Sequence, residues 1–256
     1  MASARLAEVA MLSTFQTIFQ DPHALLLAFL GGTIPAILWL MFWLREDRDN
    51  PEPLSLLTLT FVAGMLSVLL VLPLEKFVST LPLSNIVLIF LYAVCEESLK
   101  FLAFVAIMTN NPRLNRPVHY PIYLITAGLG FAALENTFYL LHPIITSNMT
   151  LSLLTGNLRF LGSTLLHSAT SGIVGISIGL AFFKSTGSRF FAGLCGLITA
   201  IALHGTFNFF IMGNNGENFL QIFGFLWVVT IIIMLLFEKL RRMGSYVQDS
   251  QLQSSL

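Results

Sequence analysis

Six ionisable side chains lie deep inside apolar stretches of this 256-residue sequence. They are Glu96, Glu97, Lys100, Glu135, His167 and His204. Glutamate and histidine are the side chains that most often move protons or bind catalytic zinc. A charged side chain at the centre of a bilayer costs about 2.5–3.5 kcal/mol on insertion scales. We therefore expect these groups to avoid lipid and to face one another or a water-filled cavity, as in a functional site.

The composition indicates what surrounds these side chains. Hydrophobic residues make up 55% of the chain and charged residues only 10%, whereas soluble proteins hold about 25% charged residues. We therefore predict an all-α, multi-pass protein of the cell membrane that folds as a single domain over residues 1–256. The net charge of zero argues against a nucleic-acid partner, so the lipid bilayer is the expected partner.

Seven apolar stretches are long enough to cross a membrane, because a spanning helix needs about 20 mostly apolar residues. They cover residues 24–44, 54–74, 85–108, 122–142, 158–184, 190–212 and 218–238. The predicted fold is thus a polytopic bundle of about seven transmembrane helices with its core at 24–238. Residues 1–22 are predicted to form an interfacial N-terminal segment, and residues 239–256 a cytoplasmic tail.

The distribution of positive charge predicts the orientation of the bundle. Of the 13 Lys and Arg residues, nine lie in alternate connections and the C-terminal tail, and three lie on the other side. The remaining one, Lys100, lies inside the third predicted helix. The positive-inside rule then places the N-terminus outside and the C-terminus in the cytoplasm.

The predicted topology places four of the ionisable side chains at one depth. Glu96, Glu135, His167 and His204 lie about 10–18 Å below the outer ends of their helices, at 1.5 Å per residue. Polar residues that serve separate structural purposes need not share a depth. The common layer therefore favours a single site in the outer half of the membrane.

Helical spacing divides the charges of the third helix. Lys100 lies four residues after Glu96 and three after Glu97, so it can pair with either. Adjacent Glu96 and Glu97 diverge by about 100° and are predicted not to point the same way. One would face the reaction space while the other anchors a neighbouring helix. His204 and Asn208 are four residues apart and share a helix face.

Five motifs follow one another along the chain in an order that is typical of a known family. They are REDRDNPEP (Arg45 to Pro53), EESLK (Glu96 to Lys100), FAALEN (Phe131 to Asn136), HSATSG (His167 to Gly172) and HGTFN (His204 to Asn208). With this topology, the chain resembles the PrsW family of intramembrane proteases, which belongs to a superfamily with the CAAX prenyl proteases. The resemblance implies cleavage of a membrane-anchored protein substrate near the extracytoplasmic side. The known family role is the first cut of an anti-sigma factor.

The resemblance also implies residue roles for a glutamate-dependent hydrolase. Glu96 would be the base that takes a proton from water, and His204 with Asn208 would stabilise the oxyanion. Glu97 and Lys100 would orient the third helix. The complete catalytic set is Glu96, Glu97, His167, His204 and Asn208, with Lys100, Glu135 and Asn136 as supporting residues.

Family members have also been described as metalloproteases, which leaves a zinc-dependent mechanism open. In that version, Glu96, His167 and His204 would hold zinc and leave a fourth position for water. The sequence has no HExxH motif, so no local pattern requires zinc. We therefore favour activation of water by glutamate without a cofactor.

Two other functions are compatible with parts of the sequence. GISIG (Gly175 to Gly179) matches G-x-S-x-G and would make Ser177 the nucleophile of a rhomboid-like serine protease with His204. The predicted depths of Ser177 and His204 differ by about 10 Å, and glycines at such spacings also serve helix packing. A transporter or channel with a proton relay would use buried Glu, His and Lys as well, although the sequence shows no inverted repeat of broken helices.

Overall fold

The computed structural model describes residues 21–45, 51–213 and 219–254, and within these ranges the regular secondary structure is helical. The helices are α1 (Pro22–Leu44), α2 (Leu54–Ser79), α3 (Asn85–Met108), α4 (His119–Ile145), α5 (Met149–Leu158), α6 (Thr164–Leu180), α7 (Thr186–Gly213) and α8 (Phe219–Ser254). A π-helical turn, Arg159–Ser163, joins α5 to α6. Apart from Asp21 and Pro22, the predicted interfacial segment lies outside the described residues.

The predicted all-α membrane fold is confirmed. Among the described residues, six helical stretches are long and apolar enough to cross a membrane, with α5, the π-turn and α6 counted as one stretch, Met149–Leu180. The seventh, α3, has 24 residues but carries Glu96, Glu97 and Lys100 in its apolar sequence. The orientation of the termini stays a prediction.

Local sequence explains where several helices begin. The side chain of Asp21 accepts hydrogen bonds from two backbone N–H groups at the start of α1, and Ser84 and Asn148 accept one each at the starts of α3 and α5. These residues are favoured at helix N-caps because their oxygens satisfy N–H groups that have no partner within the helix.

The α4 helix lies at the centre of the bundle. Of its most apolar stretch, 83% is buried within the protein, against 22% for α1, which leaves most of α1 facing outwards. α4 packs against α1, α2 and α6, with a smaller contact to α3. This position allows a polar side chain of α4 to meet residues from several other helices without contact with lipid.

Glycines bring α4 and α2 into backbone contact. A Cβ at Gly64 of α2 would overlap the carbonyl of Ala127, and a Cβ at Gly130 of α4 would overlap the carbonyl of Phe61. Glycines of α6 and α7 also lie against residues outside their own helices, namely Gly172, Gly175, Gly179, Gly193 and Gly196. Small residues permit this close approach in membranes, where dispersion contacts replace the hydrophobic effect as the driving force for helix association.

The predicted bounds of the fifth and the last spans are wrong. The fifth span was predicted at 158–184, but the helical stretch already begins at Met149 and ends at Leu180. The physical reason is that Arg159, which the prediction counted with the charges of the outer side, is paired inside the protein, so the helix continues beyond it towards Met149. At the C-terminus, α8 continues to Ser254, so the predicted tail extends the last helix. Glu238 supports this by pairing with two arginines one turn later.

The connection before α2 is fixed to the start of α4 by a buried carboxylate outside the predicted site. Glu52 accepts a hydrogen bond of 2.5 Å from the Tyr123 hydroxyl and lies 2.9 Å from Nε2 of His119. Burial alone would raise the pKa of Glu52, but the hydrogen bonds from His119 and Tyr123 outweigh it and hold this pKa below its ordinary value of 4.5.

Acid is therefore expected to weaken this connection. A carboxyl with a depressed pKa stabilises the folded protein fully above its unfolded pKa, and this stabilisation is lost as the pH falls through the folded pKa. We expect Glu52→Gln to lower the free energy of unfolding by about 1.5–3 kcal/mol at neutral pH. As the pH falls below 4.5, the free energy of unfolding should decline less in the variant than in the wild-type protein. Reversible unfolding in detergent micelles at several pH values measures both effects. Parallel pH curves for the wild-type and variant proteins would contradict the assignment.

Candidate active site

Glu97 of α3 has two short contacts, one within its own helix and one with α7. Its Oε1 atom lies 2.5 Å from Nζ of Lys100 and 2.6 Å from Nδ1 of His204. All three side chains are buried. Of the two pairings that spacing allowed for Lys100, the structure has the ion pair with Glu97. This carboxylate is thus held by a cation on its own helix and by an imidazole on the facing helix.

The carboxylate of Glu96 is less fully hydrogen-bonded than that of Glu97. Glu96 is only 6% exposed, yet its Oε2 atom has no hydrogen-bond partner among the described residues. The nearest histidine nitrogen, Nε2 of His204, lies 3.8 Å away, which is beyond hydrogen-bonding distance. A buried polar atom without a partner is unusual and points to a water, an ion or a substrate group.

The prediction that Glu96 and Glu97 cannot point the same way is wrong. Both carboxylates approach the imidazole of His204, Glu97 at Nδ1 and Glu96 on the side of Nε2. The angle of about 100° between adjacent residues applies to the directions in which their side chains leave the helix. The rotatable bonds of two glutamates are enough to bring the carboxylates back to opposite edges of one ring.

His167 of α6 lies between Lys100 and Glu135. Its Nδ1 atom is 2.9 Å from Nζ of Lys100, and its Nε2 atom is 3.0 Å from Oε2 of Glu135 on α4. Because an ammonium group can only donate, Nδ1 is the acceptor and Nε2 carries the proton that faces Glu135. The rings of His167 and His204 pack edge to face with their centroids 5.3 Å apart.

The structure therefore brings together all six ionisable side chains that the sequence singled out. They come from α3, α4, α6 and α7 and contact one another inside the protein, as the cost of exposing charge to lipid requires. The two asparagines differ from them. Asn136 donates to Thr164 across α4 and α6 at 2.9 Å. Asn208 lies half-buried one turn after His204, without a hydrogen bond among the described residues.

Sequence reasoning missed Arg159 as part of the site, because it counted this residue only among the positive charges of the outer side. The side chain forms an ion pair with Glu135 and donates from Nε to Oδ1 of Asn136 at 2.5 Å. Its guanidinium carbon lies 3.8 Å from the ring centroid of Tyr139. The available signal was the stretch MTLSLLTGNLRFLGSTLL, in which Arg159 is the single charged residue. A helix that begins at the Asn148 cap places this arginine within the helical stretch.

The serine-protease alternative has no matching geometry. The Ser177 hydroxyl donates to the carbonyl of Ile173 in its own helix at 2.8 Å and faces Gly196 of α7. Ser177 also lies ten residues after His167, which is about 15 Å along a helix, whereas His167 is in ring contact with His204. A hydroxyl at this position is not activated by the histidine of the HGTFN motif.

The residues of the cluster fit a metal ion. Glu96, His167 and His204 each offer one ligand atom, and these atoms lie within 4.8 Å of one another. Two histidines and a carboxylate are the protein ligands of several catalytic zinc sites. The unpartnered oxygen of Glu96 is suited to a cation, and the bond from Nδ1 of His204 to Glu97 is the usual support for a ligating histidine. Lys100 would have to release Nδ1 of His167 if that atom bound the metal.

The fold and the cluster together define a multi-pass membrane protein with a buried polar cluster between its helices. Residues 52–237 match the model of the PrsW family of intramembrane metalloproteases. The chain belongs to this family, which makes it a membrane-embedded peptidase whose substrate is a membrane protein. This membership favours proteolysis over the transporter alternative.

Individual relatives agree with the family match. The chain is 26% identical to Protease PrsW of Bacillus subtilis (strain 168) over 189 residues, which cover 71% of this chain and 81% of the relative. It is 27% identical to Protease PrsW of Geobacillus kaustophilus (strain HTA426) over 188 residues, which cover 71% and 78% of the two chains. No solved structure gives a significant match.

Proposed function

We propose that this chain is an intramembrane endopeptidase that uses Glu96 to activate water and cuts a membrane-anchored protein, such as an anti-sigma factor. The observation that carries the proposal is the buried Oε2 atom of Glu96, which has no hydrogen-bond partner among the described residues. Glu97 has its Oε1 atom engaged by Lys100 and His204. Glu96 is therefore the carboxylate that is available to accept a proton.

In this mechanism Glu96 takes a proton from water while the water oxygen attacks the carbonyl carbon of the scissile peptide bond. The carbonyl oxygen becomes an oxyanion near His204, whose Nε2 edge faces the same space as Glu96. Glu97 accepts a hydrogen bond from Nδ1–H of His204 and so supports the imidazolium form of the ring, whose Nε2–H would donate to this oxyanion. Asn208, one turn along the same helix face, supplies the second donor. Glu96 then gives its proton to the leaving amine as the C–N bond breaks.

The depth of the cluster supports a cut in the outer half of the membrane. Glu96 lies 11 residues from the start of α3, Glu135 lies ten from the end of α4, and His204 lies nine from the end of α7. These distances correspond to about 14–17 Å of helix. The helix ends concerned are those that the positive-inside rule places outside, so the proposed cut is near the extracytoplasmic side.

A zinc-dependent form of the same reaction is the second candidate, because the ligand atoms of Glu96, His167 and His204 lie so close together. When bound, zinc would supply Lewis-acid polarisation of the scissile carbonyl. In that form the three side chains would hold the ion, and Glu97 would keep its bond to Nδ1 of His204.

The test is proteolysis by the purified protein in lipid vesicles that contain a panel of single-pass membrane proteins, including an anti-sigma factor. We expect one site-specific cut near the extracytoplasmic end of a spanning segment. Absence of cleavage across the panel would contradict the proposed function. Treatment with a chelator, followed by zinc, separates the two forms. Activity within about twofold of the untreated enzyme favours activation by Glu96 alone, and a loss that zinc restores favours the metal form.

A further inference from the structure

We propose that Arg159 is a positioning residue of this peptidase and acts through Glu135 to fix the proton and the orientation of His167. The inference rests on the proposed function, because it gives Arg159 a part in the same site. Arg159 is not itself a catalytic residue, since its contacts are with groups on the outer side of the cluster. Its effect on the reaction would pass through one carboxylate.

The guanidinium of Arg159 is held at several points. Its Nη2 atom pairs with Oε2 of Glu135 and donates to the Ser163 hydroxyl at 3.0 Å, while Nε donates to Asn136 at 2.5 Å. One face covers the ring of Tyr139, and the side chain is 16% exposed. A planar, permanently charged group with donors in fixed directions retains little freedom in such a setting. It therefore holds the Glu135 carboxylate in one place.

The same carboxylate oxygen serves both Arg159 and His167. Oε2 of Glu135 accepts from Arg159 and lies 3.0 Å from Nε2 of His167. On the opposite edge of the ring, Lys100 donates to Nδ1. The arginine thus keeps a negative charge beside Nε2–H, and the lone pair on Nδ1 remains directed into the cluster. This is the way in which outer partners usually set the tautomer of a functional histidine.

Loss of the Arg159 charge would disturb this arrangement. Glu135 would become a buried carboxylate without its cation, a state that costs several kcal/mol. The carboxylate would lose the donors that hold it beside Nε2–H of His167. The tautomer of His167 would then be less firmly selected, and the ring would lose its fixed position.

The π-helical turn explains how Arg159 and His167 reach one carboxylate. Residues eight apart in a regular α-helix differ in direction by about 80°. The turn at Arg159–Ser163 includes an additional residue, and Thr164 closes it by donating from its backbone N–H and its hydroxyl to the carbonyl of Arg159. The wider turn reduces the angular difference between the two side chains. Such single turns are rare and occur frequently at functional sites.

The test compares four variants in the vesicle assay. Arg159→Gln and Arg159→Ala remove the charge, Arg159→Lys keeps it, and Arg242→Ala is the matched control because it breaks an exposed Arg–Glu pair with Glu238. We expect kcat to fall by about 10–100-fold in the two uncharged variants, with KM within about twofold. Arg159→Lys keeps the charge but not the planar donors, so its rate should lie between those of the wild-type protein and the uncharged variants, and Arg242→Ala should match the wild-type protein.

A spectroscopic readout separates positioning from a merely structural role. In ¹⁵N NMR of the histidine-labelled protein in lipid, wild-type His167 should carry its proton on Nε2, and Arg159→Gln should shift this signal towards the other tautomer. A wild-type kcat or an unchanged His167 signal in Arg159→Gln overturns the inference, while cleavage by the wild-type protein leaves the proposed function intact. If the wild-type protein cuts no substrate, the proposed function fails and the inference fails with it.

Discussion

Glu96→Gln is expected to lower the cleavage rate by about 10²–10⁴-fold, the range that general base catalysis contributes. The amide cannot accept the proton of the attacking water, although it keeps the size and shape of the side chain. Stability should not fall with activity, because the substitution removes a buried carboxylate whose Oε2 atom has no hydrogen-bond partner among the described residues. We expect a free energy of unfolding equal to or above that of the wild-type protein.

Single-turnover cleavage in vesicles and reversible unfolding in micelles measure the two quantities separately. The matched control is Glu238→Gln, the same chemical change on a partly exposed carboxylate of α8 that pairs with arginines away from the cluster. This control should cleave at the wild-type rate. A Glu96→Gln protein that retains more than about a tenth of the wild-type rate would contradict the assignment of Glu96.

Lys100→Met is expected to have the largest effect on stability. Lys100 is 1% exposed, pairs with Glu97 at 2.5 Å and contacts His167. Methionine fills a similar volume but leaves the Glu97 carboxylate buried without its cation. Breaking a buried ion pair in this way costs about 3–5 kcal/mol, because one uncompensated charge remains. The measurement is reversible unfolding in micelles at neutral pH.

A double-mutant cycle tests the physical reason for this loss. Glu97→Gln in the Lys100→Met background removes the uncompensated charge, so we expect the double variant to recover at least half of the lost stability. If the two substitutions simply added their costs, the ion pair would not be the source of the effect. Activity should remain low in the double variant, because Glu97 also holds Nδ1 of His204.

The two predictions give the adjacent residues Glu96 and Glu97 different roles. Glu96 is expected to govern rate with little effect on stability, whereas Glu97 is expected to govern stability through Lys100 and rate through His204. This division follows from the hydrogen bonds of the two carboxylates. Oε1 of Glu97 contacts Lys100 and His204, whereas Oε2 of Glu96 has no partner among the described residues. Helical spacing alone allowed either glutamate to pair with Lys100, so the resemblance to the family was needed to favour Glu96 from the sequence.

The sequence by itself determined the class of the protein and the composition of its site. The low content of charge required a membrane environment, and the cost of ionisable groups in lipid singled out the six residues that meet in the structure. Helix existence was predictable for the same reason, since long apolar stretches leave few other structures in a bilayer. The motifs indicated membership of the PrsW family, which the match over residues 52–237 confirms.

Only the tertiary structure decided how the site is connected. Contacts such as that between Glu97 and His204 join residues 107 positions apart, and they depend on the rotation and register of one helix against another. The spacing of residues along the sequence shows which side chains share a face of one helix. It does not show how that helix is rotated or shifted against its neighbours. For this reason the sequence could not predict that both carboxylates flank one imidazole. Nor could it predict that a π-helical turn brings Arg159 to Glu135, because a charge near the end of an apolar stretch is read as a residue of the membrane surface until its partner is known.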